Sequence, residues 1–248
     1  MLKKLIENLT CSHRHSIETH PACFASGNVN EDKARKIEEE YGKPWYQFED
    51  LRIGYLDIES DGLKSDFATM LSWCIKEKDG PVYFDTITKK ELFENSSSPD
   101  KRLVQSCIDE MKKYAIIVTY YGTIFDLTFL RAKALHYDLW FPGYTSEQVE
   151  RSNGEVYTKS FPDLYHFDLY YLCKSKLASL SSKRLENVCY YLNIPGKTPL
   201  DKSTWNRAKY GDSEALSEVL AHNVGDVEIL EKLHNKLSPF ARFTRKSV

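Results

Sequence analysis

The sequence predicts an α/β fold on two observations: three strand-like runs in close succession, followed by helical and strand-like stretches in alternation. A third observation sets the start of the chain apart, where cysteine and histidine crowd into a short polar stretch. With 248 residues, 42% hydrophobic and 28% charged, the chain has the make-up of a globular protein with one main domain and a small appendage. Residues 1–43 are expected to form that appendage, a Cys/His-rich segment with a short helix, and residues 44–248 the main domain.

Residues 11 to 23, CSHRHSIETHPAC, hold two cysteines and three of the seven histidines. Thiolate and imidazole are the ligands zinc prefers in closed tetrahedral sites. Cys11, His15, His20 and Cys23 are the expected set, with His13 the spare, and a zinc ion would staple a segment that has little apolar surface of its own. EDKARKIEEEY, 31 to 41, reads as an exposed helix ended by Gly42.

The main domain begins with RIGYLDIE, FATMLSWCIK and PVYFDTI, separated by Asp61-Gly62 and Asp79-Gly80-Pro81, which predicts an antiparallel meander. Leu103, Val104, Cys107, Ile108 and Met111 then recur at the helical period. AIIVTYYG is a short buried strand, and FDLTFLRAKALHY a second helix starting at or beside Asp126. Residues 142 to 162 are polar and rich in Gly, Ser and Pro, so a surface loop is expected. DLYHFDLYYL joins a fifth strand to a helix start, and helical stretches near 182–192 and 213–236 close the domain. Cys74, Cys107, Cys173 and Cys189 sit among apolar neighbours and are expected to be buried.

Candidate functional residues follow from carboxylates in unfavourable places. In LDIES, Asp57 and Glu59 are two apart on a strand and share a face, where they repel unless a proton or a cation intervenes. Asp126 follows a buried strand and a glycine-bearing turn, which projects it past a sheet edge, where ligands bind in α/β folds. His222 and Asp226 are four apart on an expected helix, hence on one face, and together can serve a water and a metal. Between 172 and 209, eight Lys or Arg residues stand against two acids. That segment, Lys183 and Arg184 included, is suited either to phosphates or to a solvated helical surface.

In their order along the chain, LDIES, FDLTFL and HNVGDVEIL resemble the DEDD exonuclease superfamily of ribonuclease-H-like folds, its YprB-type 3'-5' exonuclease branch above all. The resemblance spans about 52 to 238 and implies a mixed five-stranded sheet with flanking helices. Position by position, Asp57 and Glu59 match the first-strand pair, Asp126 the second-motif aspartate and Asp226 the third; Asp168 resembles a supporting acid. His222 stands at the spacing of the family's Tyr-x-x-x-Asp motif while sharing the residue type of its His-x-x-x-x-Asp motif. Whether it acts as general base or orients water is left open by that mixture. Where the family commonly has an asparagine before its second aspartate, this chain has Tyr120, Tyr121 and Gly122.

The implied activity is metal-dependent 3'-5' hydrolysis of single-stranded or fraying nucleic acid, DNA favoured over RNA, with two Mg2+ or Mn2+ ions roughly 3.5 to 4 Å apart. In that scheme Asp57 bridges the ions, Glu59 and Asp226 hold the one that activates water, Asp126 helps to hold the other and His222 assists deprotonation. Tyr120 and Tyr121 are candidates to stack on terminal bases, beside Lys183 and Arg184. A structure-selective endonuclease and a silent nucleic-acid-binding module are the alternatives. The start of the sequence has no signal-peptide pattern and no apolar run reaches spanning length, so a cytoplasmic location without membrane contact is expected.

Overall fold

The structure is a computed structural model, and it describes residues 9–17, 19–48, 51–94, 97–142, 144–150, 156–162, 164–196 and 199–240. Within them run α1 (Pro21–Ala25), α2 (Glu31–Tyr41), β1 (Ile53–Ser60), β2 (Met70–Glu77), β3 (Val82–Thr86), α3 (Lys89–Glu94), α4 (Lys101–Met111), β4 (Ile116–Thr119), α5 (Asp126–His136), β5 (Tyr144–Glu150), β6 (Val156–Pro162), β7 (Tyr165–Asp168), α6 (Leu169–Lys176), α7 (Leu185–Tyr191), α8 (Lys202–Lys209) and α9 (Ser213–Leu237).

The main sheet has five strands in the order β3-β2-β1-β4-β7, mixed as expected. The meander β1–β2–β3 is antiparallel, whereas β1, β4 and β7 run parallel, so these three end at one edge of the sheet. Strand alternation divides the core in two. Leu56 and Ile58 of β1 join Trp73, Ile75, Leu103, Ile108 and Leu130 on one face. Ile53 and Tyr55 join Cys74, Leu230 and Leu233 on the other. Full burial of each such aliphatic side chain contributes about 1.5–3 kcal/mol. Asp100, fully buried at the start of α4, accepts the Met70 N–H at 2.8 Å and pairs with Lys133 at 3.0 Å, which ties α4 and α5 to β2.

Three expectations change. The polar stretch expected as a loop contains an antiparallel two-stranded hairpin, β5–β6, because backbone pairing between its halves needs no apolar face. α8 adds a helix near the C-terminal end; its buried side is only Thr204 and Ala208, too little to register as a periodic signal. α1 interrupts the Cys/His stretch with one turn that starts at Pro21. The segment 9–48 is not packed apart from the sheet: Cys23, Phe24, Ala25 and Ile37 lie in one cluster with Tyr55, Ile116 and Leu233. All six cysteines are buried, and none is in a disulfide. Among the described residues, no helix is long and apolar enough to cross a membrane.

Candidate active site

The parallel strands deliver acids to their shared edge. Asp57 lies opposite Cys74 and Glu59 opposite Ser72 in the β1–β2 ladder, so both carboxylates share the face of Tyr55, and a bulge follows Glu59. α9 crosses this face and is pinned on both sides of Asp226. Asn223 Nδ2 donates to Ser72 Oγ at 3.1 Å, and Tyr55 Oη lies 2.9 Å from His234 Nδ1. The helical spacing then brings His222 Nε2 to 3.9 Å from Asp226 Oδ2 and to 3.7 Å from Glu59 Oε1. Glu59, His222 and Asp226 each offer a ligand atom, all within 4.8 Å of one another.

Asp126 enters from the far side of β1. As the first residue of α5 it is buried, and its Oδ1 accepts the Ile58 N–H at 3.1 Å, between Asp57 and Glu59 in sequence. Burial pushes its carboxyl up to about 7, with the charges of Asp168 and Asp226 adding and the Ile58 N–H opposing. Burial raises the Cys74 thiol too, helped by the charges of Asp57, Glu59 and Asp226 around it. These couplings describe one concentration of negative charge, assembled from β1, α5 and α9.

The turn that carries Asp126 is held by Asp168 at the end of β7. Its Oδ1 accepts the N–H groups of Tyr121 (2.8 Å) and Tyr170 (3.0 Å), and its Oδ2 accepts that of Thr123 (3.0 Å). Tyr121 takes φ 69°, a left-handed conformation that a tyrosine adopts only when its surroundings impose it. A Cβ at Gly122 would fall inside van der Waals contact of Thr119, so the turn leaves no room for a side chain at 122.

The expected substrate contacts Tyr120, Tyr121, Lys183 and Arg184 all line one cavity of about 400 Å³, with Tyr170. They differ in exposure. Tyr120 is half-buried, its hydroxyl donating to Lys183 O, and Lys183 Nζ donates to Ala178 O at 2.9 Å, whereas Tyr121 and Arg184 are exposed. Ser182 and Arg184 also border a cavity of about 990 Å³ along α7, where Tyr190 and Tyr191 are exposed. Pro195 and Gly196 join that space to one of about 170 Å³ against His222, Asp226 and Lys232. A groove thus runs from the Asp168-held turn to α9. Tyr170, Tyr190 and Tyr191 were not singled out from the sequence, although the doublet Tyr-Tyr at 120–121, 170–171 and 190–191 was a signal available there.

A second group of ligand atoms lies away from this edge. Cys11, His13, His20 and Cys23 come within 4.8 Å of one another, so the structure gathers His13 where the sequence favoured His15. His15 stands beside the group, its Nδ1 3.2 Å from that of His20. The two histidines are two apart on an irregular loop, where no period decides which points inward.

A family model described as the RNase_H superfamily matches residues 54–238. A DNA polymerase of Methanocaldococcus jannaschii is 33% identical over 95 residues, 38% of this chain and 6% of that protein. Among solved structures, the family B DNA polymerase from Pyrobaculum calidifontis superposes with TM-score 0.56 at 18% identity, over 76% of this chain and 25% of that one. The chain therefore corresponds to a small part of either polymerase, and the second likeness is one of fold.

Proposed function

The chain belongs to the RNase_H superfamily, and from that premise we propose that it is a metal-dependent 3'-5' exonuclease acting on single-stranded or fraying ends, DNA in preference to RNA. The observation that carries this reading is the meeting of Glu59, His222 and Asp226, from a strand and a helix more than 150 residues apart in sequence, at the edge where Asp126 is buried beside Ile58. The preference for DNA rests on the two similar polymerases.

The donor set fits hard divalent cations: four carboxylates gathered at one edge repel each other, and oxygen ligands suit Mg2+ or Mn2+. Asp57, Glu59, Asp126 and Asp226 would hold them. When bound, two such ions neutralise charge on the attacking and leaving oxygens of the phosphate. The remaining work falls to the protein. His222 Nε2 takes the proton of the attacking water. The bond from phosphorus to the 3' oxygen of the shortened strand breaks, that oxygen is protonated, and a nucleoside 5'-monophosphate leaves. Asp168 keeps the turn bearing Asp126 in place, Tyr121 and Tyr170 offer faces to the terminal bases, and Arg184 and Lys232 face the backbone phosphates along the groove. The thiolate and imidazole group suits zinc instead.

The test is degradation of 5'-labelled single-stranded DNA and RNA in Mg2+ or Mn2+ by the intact chain and by Asp57→Ala. A ladder of ever shorter labelled products, absent in the variant, is expected, and it also identifies the preferred sugar. A few internal cuts would favour the endonuclease alternative, and retained binding without cleavage the silent module.

A further inference from the structure

The Cys/His group lies outside the nuclease chemistry, and its geometry asks for an explanation of its own. Cys11 and Cys23 are buried, and the loop between them is fixed by its own backbone. The Cys11 N–H donates to His15 O, the Arg14 N–H to Cys11 O and the Cys23 N–H to His20 O, at 2.8, 2.8 and 3.1 Å. A bridge between Cys11 and Val29 closes the segment. Each sulfur faces both imidazoles. Cys11 Sγ is 3.8 Å from His13 Nδ1 and 3.6 Å from His20 Nδ1; Cys23 Sγ is 3.5 Å and 3.6 Å from the same two atoms.

Protons alone serve this ring badly, because each thiol has one hydrogen and two nitrogen neighbours. A central ion serves all four contacts at once. Zinc bonds of about 2.3 Å to sulfur and 2.0–2.1 Å to nitrogen, set at tetrahedral angles, place sulfur and nitrogen about 3.6 Å apart. The four separations bracket that value.

We propose that Cys11, His13, His20 and Cys23 together bind one Zn2+ in a closed tetrahedral site, through two thiolates and two Nδ1 atoms. With four protein ligands the site has no position for substrate, so the ion is structural. Asn28 Nδ2, 3.8 Å from Cys23 Sγ, supports the thiolate from outside. Phe24 and Ala25 follow Cys23 directly into the cluster that holds Tyr55, Leu233 and Leu237. The ion thereby fastens the segment 9–48 to the last turns of α9, the helix whose middle carries His222 and Asp226.

The full chain, purified in reductant without chelator, should carry about one zinc per chain by mass spectrometry of its metals. Replacement by Co2+ should give strong tetrahedral bands in the visible and thiolate-to-cobalt charge transfer in the near ultraviolet, which carboxylates at the sheet edge cannot produce. His13→Ala should weaken zinc retention against a competing chelator by more than roughly 100-fold, beyond what losing a supporting contact costs. His15→Ala should leave it unchanged. Absence of both zinc and the thiolate band would overturn the proposal, as would equal loss in the two histidine variants. If His13→Ala does not fold, the cobalt spectrum of the unaltered chain decides. Nuclease activity enters none of these readouts, so the zinc site and the nuclease can fail separately.

Discussion

The chain gathers side chains with metal-binding donor atoms in two places, and the two are built in opposite ways. At the sheet edge Asp57, Glu59, Asp126, His222 and Asp226 arrive from distant stretches, each on a regular element already fixed by backbone and core. In the N-terminal knuckle, Cys11, His13, His20 and Cys23 fall within thirteen residues, on turns and one short helix held by local backbone hydrogen bonds rather than by a sheet. The first offers mostly oxygen donors crowded against their own repulsion; the second offers thiols and imidazoles in a ring that one ion closes. A preorganised, charged, incompletely enclosed site is suited to act on a ligand, and a closed one to hold the chain.

The largest effects test whether the two sites are independent. Asp226→Asn should lower the cleavage rate by about a hundred- to a thousandfold, as for the loss of a major stabilising group in a reaction centre. The same variant should keep the full zinc content. Cys23→Ser should do the reverse to zinc, emptying the knuckle, with a marked fall in melting temperature. Measured metal content and turnover on both variants would break the comparison if Asp226→Asn released zinc.

Next in size is an opposition between two buried titratable groups. On the knuckle side, burial holds the His234 imidazole down to about 3, with the charge of Lys78 adding. The unfolded chain binds a proton there below about pH 6.5 while the folded chain stays neutral. The stability this group leaves intact above pH 6.5 is therefore lost as pH falls toward 3, at about 1.4 kcal/mol per pH unit. At the sheet edge Asp126 titrates near 7 in the metal-free protein, so between about pH 4 and 7 the folded chain holds the extra proton and stability falls as pH rises. From pH 4 to 6.5 the two contributions cancel. Urea unfolding without divalent metal should show it: Asp126→Asn unmasks stability that rises with pH, and His234→Gln stability that falls. Equal pH slopes in both variants would refute the assignment.

The same contrast explains what could be read in the sequence. The acids were legible because strands and helices impose periods: two for Asp57 and Glu59, four for His222 and Asp226. The mixed sheet was legible from turn residues and apolar runs. The choice between His13 and His15 was not, since an irregular loop has no period. Nor was the β5–β6 pairing, a matter of backbone bonds in a polar stretch, or α8, whose buried side is two small residues. Asp168 was visible as an acid, but two of its three N–H bonds, those from Tyr121 and Thr123, reach across from β7 to the turn after β4, and that connection exists only in the fold. Asp168→Asn would set an amide group against one of these donors. It should cost about 10- to 100-fold in turnover, the range for residues that support a metal ligand. Glu59 and Asp226 belong to other elements, so metal affinity should change less than turnover.

The smallest effect separates two strained residues, one in each region. Arg14 in the knuckle and Tyr121 at the sheet edge both have left-handed backbone, φ 66° and 69°. For a non-glycine residue this costs about 1–2 kcal/mol, of which glycine recovers a part after its own entropy loss of about 0.5–1 kcal/mol. Gly should therefore stabilise the chain slightly at either position. At 14 nothing proposed for the site depends on the side chain, so Arg14→Gly should leave turnover and KM unchanged. Tyr121 lines the groove with Tyr170, the ring centroids 4.7 Å apart. Tyr121→Gly should weaken binding of a strand end by about 1–3 kcal/mol, the worth of one stacked base, while Tyr121→Phe keeps it. Steady-state kinetics on the three variants decides whether the strain at 121 is retained for a face offered to substrate. An unchanged KM in Tyr121→Gly would leave it, like that at 14, a consequence of fitting a turn to its ligand residues.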